Sequence, residues 1–586
     1  MIVCIMKLTF FLILLLFCSN LNAKIVPIAN AQEIAEKFWS GNKTRSISHE
    51  LHYIYDNREM SGIAQTRSFS EPLFYVFAGE ENNGFVIISA EDQIRPVLAY
   101  SFADKAPQID NLPESLIDWI KTVSDQIEYV RTNNIINNYA NRMWTKAKSG
   151  NPVIELQTAK WNQNMPYNNQ CPLDAAEKSV VGCVPVATAI VMKYHNWPQT
   201  GNGYTESYTT KTKGIHVASR DLNHNYNWKE MPMFFTVSGY TNEAAEEVST
   251  LMADIGAAFQ ADYTNVSTGC ALKINKLYEH FGYNPAMSYV QRKDYSNEKW
   301  ITMLKNEIYA MRPVLYSGHG YDGHQFVLDG YTDDDYFHIN WGWGGVSNGY
   351  FTLSNLVPDD RGGYNDNQWA CFNVKPSTLS GMEDWIKFKS PGIELSQSHF
   401  ELNKRYYFDK LVFSNGTALD YAGKFCGAVT NRNGEFKEWV TNELECTLPC
   451  GFYVTYTSVE FFIETKINTG DRIRFFYKSN DSEDWHLIKS SEEDCQWEVL
   501  IAEEYYNISE CTSFAFDKSS RIITIETEDA INVSLYTSSS ENITDGLSRN
   551  GNTINIDTKQ LSSGEYTIRL HKGEEVKYLK FSVKSL

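Results

Sequence analysis

Proline is scarce, 17 among 586 residues, too few for the long disordered tracts that proline-rich chains form. Basic residues are also in deficit. Lys and Arg number 52 against 72 Asp and Glu, a formal charge of −20. Such a chain repels phosphate backbones and anionic lipid, so nucleic acid is not an expected partner and the charge serves solubility. Past residue 18 no apolar run approaches the roughly 20 residues of a membrane-spanning helix, so no integral membrane span is expected. Fixed-period repeats and low-complexity tracts are lacking too. Cys446 and Cys450 stand close in sequence, but no second pair follows at zinc-site spacing; a disulfide or two buried thiols is expected there, with no metal and no cofactor.

What is present is globular material: 42% of residues are hydrophobic and 14% aromatic. The length exceeds one core, and domains of about 100 to 200 residues predict three or four of them. The first 23 residues carry Lys7, an apolar run from Leu8 to Cys18, and small or polar residues ending in Asn22 and Ala23. This pattern predicts a secretory signal peptide cut after Ala23, and hence a secreted or cell-surface protein. The run is too short to span a bilayer, and bulky Phe17 argues against a lipid-modified Cys18. Of eleven cysteines, Cys4 and Cys18 fall in this segment, leaving Cys171, Cys183, Cys270, Cys371, Cys426, Cys446, Cys450, Cys495 and Cys511. An odd number in an exported protein leaves at least one thiol unpaired.

Residues 24–150 read as an α+β domain. Asn30–Trp39 and LPESLIDWIKTVSDQIEYVRT have helical spacing, and PLFYVFAG and GFVIISA are short strands around a turn at Glu80–Gly84. The stretch TKAKSGNP reads as an exposed linker suited to proteolytic cutting. Residues 151–377 combine long helical patterns with Gly- and Trp-rich strands and carry the chemistry. Residues 378–490 and 491–586 alternate in short segments, as two all-β sandwich modules do.

In VVGCVPVATAIVMKYHNWP, Gly182 permits a sharp turn and apolar residues then recur at helical spacing, with Pro185 in the first turn. Cys183 therefore stands at a helix N-terminus, where free N–H groups and the macrodipole are expected to lower a thiol pKa that is ordinarily about 8.5. A small core cysteine would occupy the same position, so position alone does not decide. His195, about four turns away, is too distant to activate Cys183 and reads as a helix C-cap.

The second cluster holds two strand-like runs, HQFVLDGY and YFHINWGW, around a turn at Thr332–Asp335. A turn centred near Thr332 pairs position 324 with 340 and sets Asn340 beside His324; a slip of one residue substitutes Trp341. An amide-held imidazole has its tautomer fixed and a ring nitrogen free to take a thiol proton. His319 and His324 as a metal pair lack a third ligand. His338 alternates with apolar residues and reads as structural. The separation of Cys183 and His324 (324 − 183 = 141) falls in the range of about 130 to 150 seen in papain-type enzymes.

With WNQNMPYN at 161–168, GCVPVATAIVMKYHNWP at 182–198, DGHQFVLDGY at 322–331 and HINWGWGGVSNGYF at 338–351, the chain resembles the streptopain family of bacterial cysteine peptidases. GFVIISAEDQIRPVLAYS is similar to that family's inhibitory prodomain, so the resemblance spans residues 24–375. It implies an α+β chain with a papain-like catalytic domain after an α+β prodomain and before all-β, Ig-like sandwich modules. It implies Cys183 as nucleophile, His324 as general base and Gln163 as oxyanion donor, with Asn340, Trp341 and Trp343 orienting and shielding the histidine. Ser267 and Gly323 resemble substrate-backbone contacts, although TNVSTGCA departs from the family's Gly- and Ser-rich form. The implied activity is that of a secreted cysteine endopeptidase made as a zymogen. It would hydrolyse protein or peptide substrates through a thioester, without a cofactor, and be inhibited by its own prodomain; the family tends to favour an apolar residue two places before the cut. The tail LSSGEYTIRLHKGEEVKYLKFSVKSL is similar to sorting domains of the type IX secretion pathway and equally fits a final Ig-like hairpin. Two other functions remain: a non-catalytic adhesin or binding protein on a papain-like scaffold, which the joint presence of Cys183, His324 and Gln163 opposes, and acyl transfer to an amine.

Overall fold

The computed structural model describes residues 24–41, 50–60, 70–145, 152–236, 239–318, 324–353, 368–377, 385–397, 400–468, 470–490, 492, 494–501, 512–517, 521–527, 532–537, 542–544, 547–550, 553–562, 564–572 and 575–583. The expected signal peptide, most of the TKAKSGNP linker, His319, Gly323 and Cys511 lie outside these residues.

Helix α1 (Ile28–Ser40) precedes a meander of β1 (His52–Asp56), β2 (Phe74–Ala78), β3 (Asn83–Ser89) and β4 (Val97–Lys105), followed by α2 (Glu114–Thr132) and α3 (Asn138–Thr145). In α2, Leu116, Ile117, Ile120, Val123, Ile127 and Val130 recur every three or four residues and are buried, the stripe that seats a helix on a sheet. The next region contributes β5 (Pro152–Glu155), α4 (Cys183–His195), α5 (Asn242–Phe259), α6 (Ile274–Phe281), β6 (Ser288–Gln291) and α7 (Asn297–Tyr309). It continues with β7 (Val314–Gly318), β8 (His324–Thr332), β9 (Tyr336–Asn340), β10 (Gly349–Thr352) and β11 (Gln368–Phe372).

These strands form one sheet of eleven, in the order β1-β2-β3-β4-β10-β9-β8-β7-β11-β6, with β5 paired to β8. The N-terminal meander is thus the lateral continuation of the central sheet. Its junction is antiparallel, with Tyr350 opposite Tyr100 and Phe351 opposite Ala99. One core lies on one face of the sheet, where Leu116, Ile120 and Ile127 of α2 and Trp300 and Leu304 of α7 meet Phe85, Phe326, Leu328, Trp341 and Phe351. The opposite face buries Leu315, Val327 and Cys371 against α4 and α5. The N-terminal region thus shares the first of these cores with the catalytic region, and a further core, in which Ala31, Ala35 and Phe38 of α1 pack on Phe77 and Val86, reaches the catalytic region at Tyr336 and Tyr350.

Beyond residue 385, sheets of three and six strands enclose a core of Phe388, Phe408, Phe413, Phe425, Phe461 and Phe475. This sandwich rests on the catalytic region through Ala418, whose N–H donates to the Pro285 carbonyl at 3.0 Å, and through Lys389 and Asp294 at 3.1 Å. Strand Glu498–Leu500 pairs with Arg472–Ser479, so the sandwich runs past the expected boundary at 490. Sheets of four and three strands between Thr512 and Val583 form a second sandwich.

Phe351 has no exposed surface and touches Trp119 and Trp341, each at 5.0 Å between ring centroids. Phe351→Ala should cost about 3 to 5 kcal/mol and loosen both regions together. Urea unfolding of the precursor checks this; separate transitions for residues 24–145 and the catalytic region would contradict it.

Candidate active site

Gly182 precedes α4 with φ of 93°, in the region glycine favours. A Cβ there would stand 2.9 Å from the Thr268 carbonyl oxygen, so this turn requires glycine. Thr268 in turn donates its hydroxyl to the Val180 carbonyl at 2.7 Å. The 264–268 loop thereby abuts the start of α4, with exposed Ser267 accepting from Thr264 Oγ1 through its carbonyl at 2.7 Å. Helix α4 ends on Asn196, left-handed at φ 47°. Asn196, rather than His195, is the C-cap. His195 instead bonds Tyr283 Oη at 3.2 Å, and burial, then the Arg312 charge, lower its pKa to about 4.

The Cys183 sulfur accepts the Gln325 backbone N–H at 3.5 Å. Burial raises the thiol pKa, and the Glu114 charge adds to it, outweighing the N–H groups of Gln325, Val184 and Cys183. The expected lowering at a helix N-terminus is therefore overturned in this precursor: desolvation and a neighbouring carboxylate dominate the helix end.

His324 begins β8 opposite Gly318. Along a strand, alternate residues share a face. His324 thus sides with Phe326 and Leu328, toward α2, whereas Gln325 sides with Val327, toward α4. From α2, Glu114 Oε2 reaches within 3.4 Å of His324 Nδ1, and Asp118 Oδ2 within 3.8 Å of Nε2. Lys121 stands 4.0 Å from Asp118. Sequence reasoning placed this helix but missed its two carboxylates; their spacing of one helical turn in ESLID was the signal.

Asn340 does not pair with His324. Its strand partner is Val327, because the turn centres near residue 334 and a bulge lies between Leu328 and Gly330. The Asn340 amide donates to Thr158 Oγ1 and the Ala159 carbonyl, both at 2.9 Å, and accepts from Gly342 N at 3.1 Å. It thereby ties down the segment that leads to Gln163. The Trp161 carbonyl accepts from Gly344 N at 2.8 Å, and the Gln163 carbonyl from Val181 N at 3.1 Å. Gln163 is thus anchored two residues before Cys183. Trp341 packs on Phe326 at 4.9 Å and donates Nε1 to the Ser347 carbonyl at 2.9 Å. Trp343 is half-buried against the same core.

Behind Asn340, Thr158 donates to Asp329, whose other oxygen pairs with His338 Nδ1. Burial opposes a charge on His338, but Asp329 first, then Glu155 and Asp104, raise its pKa to about 9. Among the described residues no group of three or more His, Cys, Asp or Glu could hold a metal, and the eight described cysteines, Cys446 and Cys450 included, are free thiols. A cavity of about 380 Å³, lined in part by Glu307, Asn373, Lys387 and Thr417, lies where the first sandwich meets the catalytic region, away from Cys183.

A thiol at a helix start, a histidine at the start of β8 and an N-terminal region whose carboxylates reach that histidine fit the class of a cysteine peptidase in precursor form. Comparison with known proteins makes the class particular. The Peptidase C10 family profile matches residues 161–351, the Spi protease inhibitor profile residues 23–127, and a secretion system C-terminal sorting domain profile residues 519–584. Streptopain of Streptococcus pyogenes is 32% identical over 320 residues, 50% of this chain and 78% of that protein. The thiol protease/hemagglutinin PrtT of Porphyromonas gingivalis is 29% identical over 324 residues, and the chain spans only 36% of its length. Two solved structures from Prevotella intermedia align with part of the chain. Prointerpain A does so at 24% identity, covering 56% of this chain and 99% of that one with a TM-score of 0.45; active interpain A does so at 28%, covering 38% and 94%, at 0.33. The chain belongs to the Peptidase C10 family, that of streptopain, and is a thiol protease with a built-in inhibitor domain and a secretion sorting tail.

Because the folded pKa of His338 is raised, its contribution to stability is full below about 6.5 and is lost as pH rises through about 9. Thermal unfolding across that window should show a loss in the wild type that His338→Gln lacks. Identical pH profiles would contradict the buried charge.

Proposed function

We propose that this chain is a secreted cysteine endopeptidase whose catalytic dyad is Cys183 and His324, made latent by residues 24–150. The observation that carries this reading is the contact of Glu114 and Asp118 with His324 on a chain whose thiol stands at the start of α4. In the mature enzyme the Cys183 thiolate attacks a peptide carbonyl carbon. The oxyanion is bound by Gln163 and the Cys183 N–H, the imidazolium of His324 protonates the departing amine, and water then hydrolyses the thioester. Asn340 serves by fixing the Gln163 segment, Trp341 and Trp343 by packing beside the strand that begins with His324, and Ser267 and Gly323 as contacts for substrate backbone. Residues 151–377 form the catalytic domain. Residues 1–23 form a cleaved export signal, and the tail completes delivery to the exterior.

Latency has an electrostatic account. Glu114 stands 3.4 Å from Nδ1 of His324 and Asp118 3.8 Å from Nε2, so the ring is engaged by carboxylates of the inhibitory region rather than by the Cys183 thiol. Burial first, and the Glu114 charge after it, raise the thiol pKa. Removing the N-terminal region removes both effects.

Two measurements test this. Cys183→Ala should leave a folded, full-length precursor with at least about 10⁴-fold less peptidase activity; undiminished cleavage would refute the nucleophile. The double variant Glu114→Gln, Asp118→Asn should convert to the mature form about 3- to 10-fold faster, a gain on the order of 1 kcal/mol, as read by loss of the full-length band. An unchanged rate would remove the carboxylates from the inhibition.

A further inference from the structure

Gln325 follows the proposed base, has 1% of its surface exposed, and among the described residues has a hydrogen-bond partner for neither its amide nitrogen nor its amide oxygen. Each such buried group is destabilising, and native proteins keep few of them without a use. Its backbone N–H is the group that touches the Cys183 sulfur at 3.5 Å. Its side chain shares a sheet face with Val327, on the side of α4 that starts at Cys183.

That face is otherwise apolar, with Leu315, Val327 and Cys371 buried on it, and carries a few neutral polar groups near Gln325. Gln325 lies opposite Ser317 in the β7–β8 register, and Ser317 lies opposite Trp369 in the β7–β11 register. Ser317 Oγ bonds Tyr289 Oη at 3.0 Å, and Tyr289 packs on Trp369 at 5.2 Å. Cys183, Tyr289 and Trp369 are all half-buried, so this group borders the surface. The charge noted at the thiol is Glu114, which belongs to the region removed on maturation.

We propose that Gln325 is a specificity-determining residue: its amide takes one donor and one acceptor bond from a substrate side chain that packs beside the Cys183 thiol. The preferred side chains at that substrate position are uncharged and hydrogen-bonding, those of Gln, Asn, Ser and Thr. A charged side chain would be desolvated there without a counter-charge, and an aliphatic one would leave the amide unpaired. This inference rests on Cys183 being the nucleophile.

The test uses matured enzyme from the full chain, first titrated with a thiol-directed active-site probe to count competent Cys183. Positional-scanning peptide libraries then give kcat/KM at each substrate position for the wild type, Gln325→Leu and Gln325→Glu. The wild type should favour carboxamide and hydroxyl side chains over aliphatic ones at one position. Gln325→Leu should lower that ratio about 10-fold, the worth of one to two neutral hydrogen bonds, and Gln325→Glu should shift the preference toward basic side chains. A wild type with no such position, or ratios unchanged in both variants, would overturn the proposal. Should neither variant mature, the wild-type library alone decides. Probe labelling elsewhere than Cys183 would overturn the catalytic reading and this one with it; labelling of Cys183 with a flat preference overturns this one alone.

Discussion

The alternation of β8 is the constraint on which the site depends. Residues 324 and 325 are consecutive, so one turns to the core shared with α2 and the other to the core of α4. The Gln325 N–H is fixed on the Cys183 sulfur, and the His324 ring lies within reach of two carboxylates of the inhibitory region. The precursor holds both groups proposed for catalysis in a fully folded frame whose surroundings oppose reaction. The thiol is kept protonated by burial and by Glu114, and the imidazole stands among anions.

Inhibition is reinforced by the way the N-terminal region is built in. Its meander extends the central sheet through β4 and β10, and its helix α2 closes a core that also contains Phe326, Trp341 and Phe351. Tyr100 stacks on Tyr350 at 5.3 Å, and Asp104 pairs with Lys160 in the segment leading to Gln163. Release therefore requires breaking strand pairing, aromatic packing and ion pairs together, which makes spontaneous opening rare and ties activation to removal of the segment.

Much of this was legible in the chain. Helix α4 starts at Cys183 because Gly182 and the apolar spacing after it require it, and α2 follows its apolar stripe. The β8–β9 hairpin was readable as a hairpin but not in its register. A bulge after Leu328 and a turn centred near residue 334 within the expected Thr332–Asp335 stretch, rather than on Thr332, moved Asn340 from His324 to Val327, and bulges leave little trace in periodicity. The thiol's raised pKa was also hidden, since it depends on burial and then on Glu114, distant in sequence and brought near only by the fold. The same holds for the continuous sheet: nothing local in β4 names β10 as its partner. The unpaired amide of Gln325 could not be seen at all without its neighbours.

The central claim is that Cys183 is the nucleophile and that residues 24–150 hold it unreactive. The most direct measurement is the rate at which a thiol-directed covalent peptide inhibitor modifies the purified chain, with mass mapping of the modified residue, before and after the N-terminal region is removed. The account predicts label on Cys183, slow in the precursor and at least about 10-fold faster in the mature form, as a thiol freed from burial and from Glu114 regains thiolate character. Label on another cysteine, or equal rates in the two forms, would contradict it.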